Sequence, residues 1–261
     1  MKQLLFLFSI SVFFLSSCSM QEEIDLSKEG NGYYQIDVDM SAMLEMMKSM
    51  GGSEKMPDSV AKQKKDTTFS LASMIDSVGG NFTPEDKAYF HNGTMHVKMD
   101  MPENKMNMVM RFPVKNVMDL KNFFRVWTQV DSLNKIKKQQ EQALEQGNDN
   151  SMPNMMDPSK QFSNGSGLPV KPSPYIITDS SIERIARSKE EITGDMGEQA
   201  QGAAMFMGQI SMMTTIKLPR PAKRVEGKNA KLSEDKRSLF FSATMQEMMD
   251  DAAAGAFKVI F

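Results

Sequence analysis

Residues 94–113, TMHVKMDMPENKMNMVMRFP, carry the clearest structural pattern in the chain. On both sides of the polar segment 102–105, apolar side chains alternate with mostly polar or charged ones. A period of two is typical of a β-strand that buries one face. The pattern therefore predicts an antiparallel β-hairpin with one apolar face. The residues expected on that face are Met95, Val97, Met99, Met101, Met106, Met108, Met110 and Phe112.

A helix is predicted directly after the hairpin. From about Asn116 onward, apolar residues recur at the spacing of an amphipathic helix, which can pack them against the hairpin. These residues are Val117, Leu120, Phe124 and Trp127. The polar continuation over 132–146 is either a solvated extension of the same helix or a second helix.

The chain before the hairpin is predicted to contain one strand and three short helices. Alternation over 34–40 indicates a half-buried strand. Ser41 can cap a helix with Met43, Met46, Met47 and Met50 on one face. Residues 51–67 are expected to form an exposed loop. Helical spacing returns over 71–78, and Thr83 followed by Pro84 is typical of another helix start.

The C-terminal half also contains strands and helices. Strands are predicted over 175–178, 182–186, 208–218, 239–243 and 256–261. A helix rich in small residues is expected at 195–206, and Thr244 with Glu247 forms a capping box for another. The predicted fold class is α+β, with antiparallel hairpins or sheets packed against helices. The similar order of elements in the two halves allows two similar α+β subdomains.

Composition divides the chain into five segments. They are a signal peptide (1–17), a lipidated cysteine with its tether (18–32), an N-terminal α+β region (33–146), a disordered linker rich in Asn, Ser, Gly and Pro (147–172), and a C-terminal α+β region (173–261). Tether and linker are predicted because polar, low-complexity segments lack the apolar residues that a packed core needs.

The first 18 residues resemble a bacterial lipoprotein signal. Lys2 precedes an apolar run that is shorter than the ~20 residues of a membrane span. The ending Leu15-Ser16-Ser17-Cys18 resembles a lipobox, which implies cleavage before Cys18 and its acylation. Ser19 in place of an aspartate implies the outer membrane. The segment 20–23 is similar to the acidic export signal of Bacteroidetes surface lipoproteins, so both the periplasmic side and the cell surface stay open.

Charge and cysteine content exclude several function classes. Removing residues 1–17 leaves 261 − 17 = 244 residues and removes Lys2, so the formal net charge changes from −2 to −3. A near-neutral chain of this kind does not favour nucleic-acid binding. Cys18 is the only cysteine, and once acylated it leaves no thiol for a disulfide, for catalysis or for a metal site.

No catalytic centre, metal site or cofactor is predicted. The two histidines, His91 and His96, lie near Asp100 in the sequence, but three such groups are sparse for a closed zinc or copper site. The sequence contains no phosphate-binding loop and no nucleophile elbow. The protein is therefore expected not to be an enzyme.

Methionine is abundant, with 27 residues. Met106, Met108 and Met110 have the alternate spacing of periplasmic copper(I) handlers, whose soft thioethers suit that ion. The same residues lie on the face expected to pack against the helix, so core packing is the preferred interpretation. An adaptable apolar pocket for lipids or other ligands is the third alternative.

Residues 217–237 contain eight basic and three acidic side chains. Lys223, Arg224 and Lys228 are candidates for contact with phospholipid head groups or acidic glycans. The alternative is a solvated sheet edge, on which lysines deter strand pairing. Separately, Ser59 and Thr67 lie in tripeptides that resemble the Bacteroidetes O-glycosylation pattern, and both fall in the predicted loop.

The C-terminal region resembles LppM-like envelope lipoproteins. The matching segments are Thr214 to Pro219, Asn229-Ala230, Ser238 to Phe241 and Phe257 to Phe261, with Phe240 or Phe241 where that family has Trp. The resemblance implies an α+β lipoprotein body with a binding role. We expect a non-enzymatic, lipid-anchored envelope protein that binds an apolar or amphipathic ligand or a partner protein. The alternatives are a Met-rich copper(I) handler and a purely structural surface lipoprotein.

Overall fold

A computed structural model describes residues 19–28, 30–42, 44–45, 62–145, 173–194 and 210–261. The strands are β1 (Ser19–Asp25), β2 (Gly32–Asp39), β3 (Lys64–Ser70), β4 (Thr94–Asp100), β5 (Lys105–Val114), β6 (Tyr175–Thr178), β7 (Ser181–Arg184), β8 (Ser211–Lys217), β9 (Arg224–Glu226), β10 (Ala230–Leu232), β11 (Ser238–Thr244) and β12 (Phe257–Ile260). The helices are α1 (Ala72–Asp76), α2 (Pro84–His91), α3 (Val117–Glu145), α4 (Lys189–Gly194) and α5 (Met245–Asp250), followed by a 3-10 turn (Ala252–Gly255).

Eight strands form one large sheet in the order β10-β11-β8-β1-β2-β5-β4-β3. Neighbouring strands run antiparallel except β1 and β8, which run parallel. A parallel pair needs a crossover connection between its strands. Here the connection is long, because all elements from β2 to α4 lie between β1 and β8 in the sequence. The remaining strands form a second, antiparallel sheet in the order β6-β7-β12-β9.

The predicted hairpin is confirmed as β4 and β5. Asp100 pairs with Lys105 beside the turn, where Asn104 adopts a positive φ of 55°. Asparagine tolerates this left-handed conformation better than most residues. The eight residues predicted on the apolar face are all buried, and Met108, Met110 and Phe112 have 0% exposure.

The three N-terminal helices pack on the inner face of this half of the sheet. α2 begins at the predicted start with Thr83 as its N-cap, and a capping box adds to it, in which Thr83 and Asp86 each accept a backbone hydrogen bond from the other. α3 buries Leu120, Phe124 and Trp127 as predicted. Its polar part continues the same helix to Glu145, so the alternative of a second helix is wrong.

The α+β class is confirmed, and one core serves both halves of the chain. Side chains from both sheets and from α1, α2 and α3 belong to one buried cluster. Strands β8, β10 and β11 of the C-terminal half extend the sheet that the N-terminal half begins. This shared sheet replaces the two similar subdomains that the sequence allowed.

Two segments predicted to be irregular are strands. Residues 19–25, assigned to a flexible tether, form β1 in the interior of the large sheet. Residues 64–67, assigned to a loop, belong to the edge strand β3. In β3 the inward side chains Lys65, Thr67 and Phe69 are only half-buried, which is why the segment is polar.

Several predictions lie outside the described residues. They are the signal peptide with Cys18, part of the helix after Ser41, Ser59, the linker at 147–172 and the helix at 195–206. Ser41 itself is described. Its hydroxyl accepts a hydrogen bond from the backbone N–H of Met106 at 3.1 Å.

Candidate functional site

A buried carboxylate occupies the inner face of the large sheet. Glu22 is the fourth residue of β1 and has an exposed fraction of 2%. Its neighbours across the ladders are Ile36 on β2 and Thr214 on β8. Alternation along β1 places Met20 and Ile24 on the same face, so Glu22 is the one acidic side chain among apolar residues of this strand.

Five hydrogen bonds converge on the two oxygens of Glu22. Oε1 accepts from the hydroxyl of Tyr34 at 2.8 Å and from the backbone N–H of Ser173 at 3.1 Å. Oε2 accepts from the hydroxyls of Ser173 at 2.8 Å, Tyr175 at 3.0 Å and Thr214 at 3.3 Å. A carboxylate removed from water is tolerated only when such donors replace the lost hydration. We call these five residues the Glu22 cluster.

The Glu22 cluster joins parts of the chain that are distant in sequence. Ser173 lies 151 residues from Glu22, at the point where the chain enters β6. Tyr175 on β6 belongs to the second sheet, whereas Tyr34 and Thr214 belong to the large sheet. The carboxylate therefore fixes the edge of the second sheet against the inner face of the first.

All four tyrosines of the chain hold their phenolic protons more tightly in the folded protein. Burial raises the pKa of Tyr34 and Tyr175 well above 10.0, and the charge of Glu22 raises both further. Burial also raises the pKa of Tyr33, next to Glu23, and of Tyr89, whose hydroxyl donates to Asp119 at 2.5 Å.

These raised pKa values predict alkaline unfolding. Unfolded tyrosines ionise near pH 10.0, whereas the folded ones ionise only above it. Their stabilising contribution is complete below pH 10.0 and is lost as the pH rises through the folded pKa values. We expect tyrosinate absorption and loss of far-UV circular dichroism to appear together. Titration of the tyrosines near pH 10.0 with the circular dichroism unchanged would contradict this expectation.

A buried guanidinium lies next to the Glu22 cluster. Arg184 on β7 has an exposed fraction of 4% and is the cross-strand partner of Tyr175. Its guanidinium stacks 4.7 Å from the ring centroid of Phe241, and Nη2 lies 3.5 Å from the sulfur of Met212. Nη1 has no hydrogen-bond partner among the described residues. The positive charge opposes the rise in the pKa of Tyr34 and Tyr175.

An open groove lies beside the Glu22 cluster, between α3 and β6. Its volume is about 560 Å³. One wall is formed by α3 and the other by the chain from Ser173 into β6. Ser173 and Tyr175 belong both to this wall and to the Glu22 cluster, so the buried carboxylate holds one wall of the groove in place. The lining residues are Lys121, Phe124, Arg125, Trp127, Thr128, Asp131, Ser173, Pro174, Tyr175, Ile176, Ile177 and Thr178.

The walls of the groove are largely aromatic and aliphatic. The rings of Phe124 and Tyr175 pack against each other at one side of it, with centroids 5.0 Å apart. Ile176 also lines the groove and is 50% exposed, which is high for an isoleucine. Because exposed apolar side chains in a concave surface favour apolar ligands, this arrangement suits an acyl chain or a similar group.

Charged side chains lie on the α3 side of the groove. Arg125 pairs with Asp86 at 2.5 Å, and Asp131 pairs with Lys135 at 3.1 Å. Within each pair, the positive and the negative charge neutralise each other. Lys121 is exposed on the same helix, one turn before Arg125, and adds a positive charge to the opening. The groove therefore combines apolar walls with one cationic rim position.

The predicted head-group residues lie elsewhere and are partly neutralised. Arg224 forms an ion pair with Glu226, and the Nζ of Lys228 lies 3.6 Å from Asp251. Lys223 is exposed directly before β9. β9 and β10 are edge strands of the two sheets, which is the arrangement that the edge interpretation of the basic segment expects.

The basic segment starts at the end of the large sheet opposite Ser19. Lys217 at its start pairs with Asp25, the last residue of β1, at 3.3 Å. The N–H of Ala222 donates to the carbonyl of Lys236 at 2.7 Å, which keeps Lys223 in the same region. The ends of a seven-residue strand such as β1 lie about 20 Å apart.

The histidines do not converge. Nε2 of His91 lies 3.0 Å from Asp76, and Nε2 of His96 lies 2.7 Å from Asp66. Among the described residues, no group of three or more His, Cys, Asp or Glu side chains is placed to hold a metal ion. Thr67 lies half-buried in β3, and Ser59 and Cys18 lie outside the described residues. In the described part of the chain, no helix has the length and apolarity needed to cross a bilayer.

Sequence reasoning missed the Glu22 cluster. Met20, Glu22, Ile24 and Leu26 do alternate, but the acidic side chain in an inward position hid the pattern. Phe124 and Trp127 were predicted on the correct helix face, and Tyr175 in the correct strand. Nothing local in the sequence indicates that β6 would meet α3. Comparison with protein-family models, curated proteins and solved structures finds no significant match to this chain.

Proposed function

We propose that this protein is a non-enzymatic, lipid-anchored envelope protein that binds an amphipathic small molecule in the groove between α3 and β6. The observation that carries the proposal is the groove itself, with apolar walls and a cationic rim. Its volume of about 560 Å³ is within the range of small-molecule sites, which is roughly 300–1,000 Å³. The lipid anchor at Cys18 is proposed from the lipobox-like sequence.

The composition of the groove favours a single-chain amphiphile with an acidic head group. The exposed Ile176 and the half-buried Tyr175 offer contact area to an acyl chain, whereas Phe124 and Trp127 line the groove with only a small exposed part. Lys121 at the opening can attract a carboxylate or a phosphate. A doubly charged head group would find fewer partners, because Arg125 already pairs with Asp86.

Binding is a better proposal than catalysis because the hydrogen bonds of Glu22 occupy both oxygens of its carboxylate. The carboxylate is next to the groove wall, but its two oxygens accept five hydrogen bonds from the protein. A general base must be within reach of the proton that it removes. Because both oxygens of Glu22 already accept hydrogen bonds from the protein, we assign it the role of positioning the groove wall that contains Ser173 and Tyr175.

The burial of the methionines in β5 makes copper(I) binding a weaker proposal than ligand binding in the groove. Met108 and Met110 belong to the main core with 0% exposure, and Met106, at 8%, is buried in the small cluster that also contains Met99 and Met101. A thioether in a packed core cannot take up an ion without displacing its neighbours. The purely structural alternative differs from our proposal only in the groove, so ligand binding separates the two.

Trp127 provides the test, because it is the only tryptophan of the chain and lines the groove. We expect a fatty acid brominated on its acyl chain to quench Trp127 fluorescence saturably, in a soluble form that begins at Ser19. A Lys121→Gln variant should bind the acid about 2- to 5-fold more weakly, as expected for an exposed charge pair. It should bind the corresponding alcohol unchanged.

Lys137→Gln is the matched control, since Lys137 lies on the same helix but outside the groove lining. We expect this variant to bind like the unmodified protein. If the brominated chain leaves Trp127 fluorescence unchanged, the groove does not bind an acyl chain. Equal losses in both lysine variants would show that the charge of the helix as a whole, and not the rim position, attracts the head group.

A further inference from the structure

We infer that the end of the large sheet at which β1 begins lies against the membrane surface. The strands then run away from the bilayer, and the opposite end of the sheet points into solution. This inference rests on the proposed acylation of Cys18. It adds an interaction surface, with phospholipid head groups as the partner.

The anchor leaves no room for a tether. Cys18 is bonded directly to Ser19, and adjacent Cα atoms of a chain are about 3.8 Å apart. Ser19 is already paired on both sides, with Asp39 of β2 and with Ser211 of β8. Acyl chains on Cys18 would therefore leave the protein within about 4 Å of the sheet end. The bilayer must then reach that end.

β1 cannot move away from the sheet to create a tether. It is the fourth strand of eight and pairs along its whole length with β2 and with β8. Releasing it would break two ladders and expose Ile24 together with the Glu22 cluster. An interior strand of this kind is held far more firmly than a chain terminus that lies on the surface.

A small apolar cluster lies at this end. Met40, Leu44, Met99, Met101 and Met106 form a small apolar cluster of their own beneath the β4–β5 turn. The N–H of Met40 donates to the carbonyl of Met106 at 2.8 Å, which ties the end of β2 to the start of β5.

Two ion pairs lie near this end. Lys64 pairs with Asp100 at 2.8 Å, and Lys105 pairs with Glu103 at 2.6 Å. Paired charges of this kind add little salt dependence to a contact with head groups.

In this orientation, the basic segment does not contact the head groups of the anchoring membrane, which is the opposite of what its charge suggested. Lys223 lies toward the end of the sheet where Asp25 and Lys217 pair, about 20 Å from Ser19. With Cys18 in the bilayer, Lys223 faces away from the membrane that anchors the protein. Head-group contact by this residue would require the opposite orientation of the sheet.

Single labelled cysteines test the orientation in the full-length, acylated protein in vesicles. Cys18 is the only native cysteine and loses its thiol on acylation, so an introduced cysteine is labelled alone. Lys105→Cys and Lys115→Cys mark the start of β5 and the position just after its end. Both residues are exposed, and they lie about 30 Å apart along the strand.

We expect lipids with a nitroxide on the head group to quench a fluorophore at position 105 several-fold more than one at position 115. A label in Lys223→Cys should resemble position 115. Equal quenching at 105 and 115, or stronger quenching at 115 or 223, overturns the orientation. If mass spectrometry finds no acyl chains on Cys18, or Cys18→Ala stays bound to vesicles, the proposed anchor fails and the orientation falls with it. Groove binding in the soluble form is independent of both outcomes.

Discussion

Replacing Glu22 with alanine is expected to lower the free energy of unfolding by about 3–5 kcal/mol. The side chain is buried, and four residues donate five hydrogen bonds to it. Alanine would leave these donors without an acceptor in a site that water does not reach, in addition to opening a cavity. Equilibrium unfolding in urea, monitored by circular dichroism, measures the difference.

Glu23→Ala is the matched control. Glu23 is the next residue of β1 and points to the other face of the sheet, where it accepts from Tyr33 at 2.8 Å and pairs with Lys217 at 2.7 Å. These contacts are partly exposed, so we expect a loss of no more than about 1 kcal/mol. Glu22→Gln should fall between the two variants, because an amide keeps one acceptor and turns one accepting position into a donor. Similar losses for Glu22→Ala and Glu23→Ala would mean that the Glu22 cluster is not a stabilising unit.

The same variants report on the groove. Tyr175 donates to Glu22 and packs against Phe124 of α3, with 5.0 Å between the ring centroids. Loss of the carboxylate frees that ring, so acyl-chain binding should weaken in Glu22→Gln even where the protein stays folded. Stability and binding are thus linked through one buried side chain, as expected when a rigid scaffold positions a site.

Local patterns predicted the parts of the fold that are local. The β4–β5 hairpin contains both strands, the turn and the register in one continuous stretch, so alternation and a polar turn were sufficient. The helix start at Thr83 and the capping box at Thr244 were also recognisable, because each involves only a few neighbouring residues. These features need no information about the rest of the chain.

The sheet as a whole could not be predicted in this way. β1 pairs in parallel with β8, and the contact between Glu22 and Thr214 spans 192 residues. No spacing rule relates two such segments. The strand was also hidden because a glutamate occupies an inward position, where patterning expects an apolar residue. Its compensation comes from Tyr34, Ser173, Tyr175 and Thr214, which only the folded chain brings together.

In the candidate site as well, the local features were predictable and the long-range contacts were not. The helical face with Phe124 and Trp127 follows from periodicity, and so does the strand that contains Tyr175. The groove arises because the second sheet presents β6 to α3 and is held there by Glu22. The basic residues Lys223 and Arg224 were predicted only from the number of positive charges in their segment. That number does not indicate that Arg224 pairs with Glu226.

Met108→Ala is expected to lower the free energy of unfolding by about 2–5 kcal/mol. Met108 lies in the middle of β5 with 0% exposure, between Val38 on β2 and Val97 on β4 in the ladders. Truncation removes buried methylene groups and a sulfur and leaves a cavity that strands paired on both sides cannot close.

Met118→Ala provides the control for Met108→Ala, since Met118 is 43% exposed on α3 and should change stability by less than about 0.5 kcal/mol. Chemical unfolding of both variants, with and without copper(I), separates the two interpretations of the methionines. Core packing requires a large loss for Met108→Ala that is the same with and without the ion. A variant as stable as the unmodified protein that no longer binds copper(I) would instead assign these thioethers to a metal site, because only a ligand set that is not part of the packing can be removed without destabilising the core.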